Sequence, residues 1–160
     1  MDMFLASSIV FWLLNVSNIC GQKRTYCDAD EIIDKEMDKL ITHVAQAKEC
    51  KKGEEGRPEA PLLKLCHQSV RTDPKLWRKG TELNIWDSVC KSNLGPTVST
   101  PIAIFDGRNY KMEGGAAILR FCGHDGIYVL NQWCGKKVGF SWHFLPNITA
   151  QNYYRVVAAN

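Results

Sequence analysis

Two hydrophobic periods divide this chain. Between Asp28 and Cys50 the apolar residues Ile33, Met37, Leu40, Ile41 and Val44 recur at helical spacing, which predicts an amphipathic helix. Asp28 with Glu31 three residues on gives it an acidic, cap-like start of the sense a helix dipole favours. His43, in its last part, is expected to be solvated or capping. The polar stretch "KKGEEGRPEA" then breaks the pattern with two glycines and a proline. "PLLKLCHQSV" predicts a second, shorter helix with Pro61 in its first turn and Leu62, Leu63, Leu65 and Cys66 mostly inward. "TDPKLWRKGTELN" reads as a turn and a loop. From Pro101 the pattern changes to strands: "PIAIF", "GAAILRF", "GIYVL", "GFSWHF" and "YYRVVA", with "FDGRNY" as a hairpin turn. Helices first and an antiparallel sheet after them is the α+β pattern.

The first twenty-one residues, "MDMFLASSIVFWLLNVSNICG", stand apart from both patterns. Their apolar run from Phe4 to Val16 is too short for a bilayer and is followed by small and polar residues, the build of a secretory signal without its usual basic start. No other stretch is apolar enough to cross a membrane. The expectation is a secreted, soluble, monomeric chain with one domain over residues 22–160.

Cleavage there reduces seven cysteines to six: Cys27, Cys50, Cys66, Cys90, Cys122 and Cys134. An even number in a small exported domain predicts a disulfide framework, whose connectivity is one of fifteen. If all six pair, no thiol remains as a nucleophile. Cleavage also removes Asp2, leaving twenty basic against sixteen acidic residues, a balance of about +4. Such mild charge suits an anionic surface such as a bacterial wall but lacks the clustered stripe of a nucleic-acid binder. "NIT" at Asn147 is a possible glycosylation sequon.

The scattered cysteines and unpaired histidines match no metal-ligand spacing, and "GGAAI" is no phosphate loop, so neither metal nor cofactor is expected. Cysteine-histidine catalysis needs a thiolate at a helix start and an imidazole within reach. Cys66 lies several residues inside its helix, where a buried or bridged cysteine is the commoner outcome. His67 beside it points about 100° away around a helix, so the two make no dyad. His124 in "CGHDG" is the remaining partner for a shifted Cys66 nucleophile, with Asn131 to orient it. Trp133, Lys136 and Trp142 are candidates for a binding groove, although buried indoles and solvated lysines are the simpler reading.

In their order and spacing, "WRKG", "TPIAIFDGRNY", "GAAIL", "DGIYVLNQW" and "NYYRVV" resemble the type VI secretion amidase effectors. More narrowly they resemble the second effector family and its domesticated copies in ticks and mites, over roughly residues 55 to 158. The resemblance implies a papain-like, NlpC-type fold, with N-terminal helices packed on a C-terminal sheet, that cuts peptide bonds in peptidoglycan. It also implies where the chemistry belongs. The nucleophilic cysteine opens a helix in a Glu-Cys-Pro type context, and "EAPLL" puts Ala60 there. The histidine precedes Ala-Ala-Ile, a place held by Gly115, and the orienting Asp of Asp-Gln-Trp corresponds to Asn131. The expectation is a catalytically depleted homologue that binds cell wall or a new partner. The alternative is an active antibacterial hydrolase using Cys66 and His124.

Overall fold

The computed structural model describes residues 27, 38–39, 41, 50, 56–66, 70, 73–80, 83–91, 95–111, 115–145 and 152–158. Residues 1–21, read above as a secretory signal, most of the helix expected between Asp28 and Cys50, His43, His67 and Asn147 lie outside them. One α-helix is described, α1 (Ala60–Leu65). The strands are β1 (Trp77–Lys79), β2 (Gly95–Asp106), β3 (Asn109–Tyr110), β4 (Ala116–Cys122), β5 (Gly126–Asn131), β6 (Gly139–Phe144) and β7 (Tyr153–Ala158). A 3₁₀ turn (Pro74–Leu76) leads into β1, and a π-type turn (Trp86–Cys90) precedes β2.

All seven strands join one antiparallel sheet in the order β3-β1-β7-β2-β4-β5-β6. The twelve residues of β2 let it serve three neighbours: β4 along most of its length, β7 from Ile102 to Ile104, and β3 at Phe105 and Asp106. That last pairing closes β1, β3, β2 and β7 into a ring, and Trp77 and Tyr110, with rings 4.9 Å apart, join the buried cluster that includes α1. The β2–β3 connection is the two-residue turn expected in "FDGRNY", with Gly107 at a φ of 57°.

Strand β4 explains why "AAIL" has no polar alternation. Ala116 and Ile118 enter one buried cluster, Ala117 and Leu119 another, so both faces of the sheet are covered. The first cluster takes Leu62, Leu63, Leu65 and Cys66 of the α1 region, buried as the helical spacing predicts. The second takes Ile85, Cys90, Ile102, Ile127, Val129 and Tyr153. Three disulfides are present: Cys27–Cys66 within the first cluster, Cys90–Cys122 within the second, and Cys50–Cys134 outside both.

The architecture is mixed and strand-rich, with the six-residue α1 packed on the sheet among the described residues, and it departs from the sequence expectation in two ways. β2 begins at Gly95, not Pro101. Its start contains Pro96, and its pairing with β4 shifts register between Pro96 and Thr100, a bulge of the kind that tolerates proline and masks the strand signal. "WRK" is strand β1, not loop, because three residues are too few to show alternation.

Candidate functional site

Ala60 is the first residue of α1, with Glu59 before it and Pro61 in the first turn. The helix start is held from two sides. The Tyr110 hydroxyl donates to Glu59 Oε1 at 2.8 Å, linking the helix to the ring of strands. Gln132, at the end of β5, donates through Nε2 to the carbonyls of Arg57 (3.1 Å) and Ile41 (3.0 Å). Its Oε1 accepts from the Ile41 N–H at 2.9 Å. Both Glu59 and Gln132 are 1% exposed, and the sequence reading singled out neither. The only signal was their polarity beside apolar runs. What this scaffold presents at Ala60 is a buried methyl group.

Gly115 immediately precedes β4, next to Ala116, which shares a buried cluster with Ala60. Its φ is 96°, a conformation that glycine adopts freely and other residues only under strain. A Cβ there would lie 3.5 Å from the Tyr153 hydroxyl and 3.6 Å from the Trp133 ring. The ring of His143 lies 5.6 Å from that of Tyr153 and 6.5 Å from that of Trp133. Asn131 pairs with Ala117 and Gly139 on the same sheet face, and its Oδ1 accepts from Ser141 Oγ at 3.0 Å. Three buried polar atoms on this face, Tyr153 Oη, His143 Nε2 and Asn131 Nδ2, have no hydrogen-bond partner among the described residues.

Burial sets the charge states here. It pushes the Tyr153 phenol up to about 12 and lowers His143 from the ordinary histidine value. Tyr110 is raised too, first by burial and then by Glu59. Above pH 10 the unfolded chain ionises tyrosines that the folded chain keeps protonated, so stability falls as pH rises toward 12. Below about pH 6.5 the unfolded chain binds a proton at His143 before the folded one does, so stability also falls as pH falls. Denaturant titrations at several pH values are expected to show a plateau between these limits. The Tyr153 shift of about two units corresponds to a loss of about 3 kcal/mol on the alkaline side. Tyr153→Phe should remove that share, and an unchanged alkaline limb would contradict the assignment.

The other sequence candidates are dispersed. Cys66 is bonded to Cys27, so in this oxidised form it has no thiol. His124 is exposed in the β4–β5 turn, at the far end of a seven-residue strand from Gly115, roughly 20 Å along β4. Trp133 is 43% exposed and borders the Gly115 face, and Lys136 is exposed just beyond it. Trp142 instead lies on the opposite face, its ring near those of Phe121, Tyr128 and Phe144. Gly123 and Gly126 seat it there, since a Cβ on either would come within 3.0 Å of its ring. Trp133 and Trp142 therefore do not line one groove. Among the described residues no group of acids, histidines and cysteines could hold a metal ion, and no helix is long and apolar enough to cross a membrane.

Compared with known proteins, residues 35–156 match the model of the family described as domesticated amidase effector 2. No curated protein and no solved structure gives a significant match.

Proposed function

Because the chain belongs to the domesticated amidase effector 2 family, we propose that it is a secreted, peptidoglycan-directed protein that binds wall peptides without cutting them. The observation that carries this reading is the pair Ala60 and Gly115. By the sequence resemblance, the first takes the place of a nucleophile opening α1 and the second that of a base preceding β4. A methyl group and a hydrogen can do neither task. α1 packs on β4 in the first cluster, while Asn131, paired with Ala117, lies on the opposite face of the sheet, so the papain-like, NlpC-type reading rests on the family and on the replaced residues. Three disulfides are consistent with an extracellular protein. A hydrolase built on Cys66 and His124 is the less favoured reading, because Cys66 is bridged and His124 sits in a remote exposed turn.

Co-sedimentation with purified bacterial sacculi tests the binding half of the proposal. The oxidised protein is expected to pellet with sacculi and to be displaced by soluble muropeptides. A protein that stays in the supernatant at every sacculus concentration would refute it.

A further inference from the structure

The Tyr153 hydroxyl and the Trp133 ring lie beside Gly115, the ring of His143 packs near both, and Asn131 shares their sheet face. Tyr153 is 0% exposed, and its hydroxyl faces the point where a Gly115 side chain would begin, 3.5 Å from it. A phenol is protonated at neutral pH, and burial pushes this one further up to about 12, so it can donate. Asn131 is 4% exposed, and because Ser141 donates to its Oδ1, the amide group left over is the donor Nδ2. His143 Nε2 is the third buried atom without a partner among the described residues, on an imidazole whose neutral form burial favours and which donates there in its Nε2–H tautomer. Trp133, partly exposed, forms an apolar wall 3.6 Å from the same point. Buried donors without acceptors cost free energy, and a set of them on one face is best satisfied by an acceptor brought from outside.

We propose that the place of the missing base has become an acyl-oxygen site: the Tyr153 hydroxyl, Asn131 Nδ2 and His143 Nε2 receive a carbonyl or carboxylate oxygen of a peptide whose apolar flank rests on Trp133. The site needs the absence of a side chain at 115, since any imidazole there would occupy the ligand's position. Loss of the base and gain of the site are then one change. The inference rests on the wall-peptide reading, which it narrows to a specific group on the ligand.

The test titrates the oxidised full chain with N-acetyl-D-alanyl-D-alanine as the free acid and as its C-terminal amide. Heat of binding and the tryptophan fluorescence, with Trp133→Phe as the control for that residue's share, are the readouts. Binding of the acid alone identifies a terminal carboxylate, and equal binding of both identifies a chain carbonyl; either supports the site. Tyr153→Phe keeps the ring and removes the donor, and is expected to weaken binding about tenfold. Asn131→Asp turns a donor into an acceptor and is expected to weaken it at least as much. Absence of binding by the unaltered protein, or binding that both variants leave unchanged, overturns the proposal. Sacculus co-sedimentation run alongside separates the two ideas. Sacculus binding that Tyr153→Phe leaves intact, with no peptide binding, would remove this site and keep the wall-directed reading. Peptide binding without sacculus binding would do the reverse.

Discussion

Purified protein incubated with sacculi should release no stem-peptide fragments above the buffer control. A nucleophile and its base act as a unit, and removing either one from a hydrolase commonly lowers kcat by on the order of 10⁶. Here both positions are changed. The architecture also says how far the activity can be restored. Ala60→Cys sets a thiol at the start of α1, where the helix dipole favours thiolate. Gly115→His is a harder change, because its φ of 96° strains any side chain, although a Cβ there meets Tyr153 and Trp133 at ordinary contact distances. The double variant is therefore expected to remain far below an active family member in fragment release measured by chromatography. Release by the unaltered protein that disappears in Cys66→Ala would instead locate the active site at Cys66.

The second large effect belongs to stability. Cys66→Ala removes the Cys27–Cys66 bridge, which spans a sequence separation of 39. Loop-closure entropy for that span is worth about 4 kcal/mol, or roughly 10 °C in Tm. The bridge also joins the end of α1 to Cys27, whose N–H donates to the Ser99 carbonyl of β2 at 2.9 Å. Its loss frees the helix from the central strand. Thermal melts of both proteins check this, together with a thiol count of zero in native protein. A change below about 1 kcal/mol would mean that the bridge contributes little, outside the usual range for such links. Binding to sacculi, measured below the melting range, should be unaffected.

The strands β4 to β7 were legible in the sequence because each is six or seven residues long with a clear apolar run. The start of α1 was legible because Pro61 marks a first helical turn. The ring of strands was not, since it depends on a three-residue β1 and on the last two residues of β2. At the site, resemblance located Ala60, Gly115 and Asn131, but nothing in the letters states that Gly115 has positive φ. Tyr153 lies thirty-eight residues further on, and only the pairing of β7 with β2 brings it to Gly115. The faces of Trp133 and Trp142 were equally hidden, because the loop between β5 and β6 resets the alternation that would relate them.

The ring closure has a consequence for self-association. With β3 paired to both β1 and β2, the sheet keeps one unpaired lateral edge among the described residues, and that edge is β6. Its sequence "GFSWHF" has three aromatic residues, no Asp, Glu, Lys or Arg and no proline, the composition that templates intermolecular strand pairing. Lys136 and Lys137 are exposed immediately before it, where like charges repel a second copy approaching in register. Lys136, which reads in the sequence as part of a binding groove, thus stands with Lys137 in the position of a gatekeeper against aggregation.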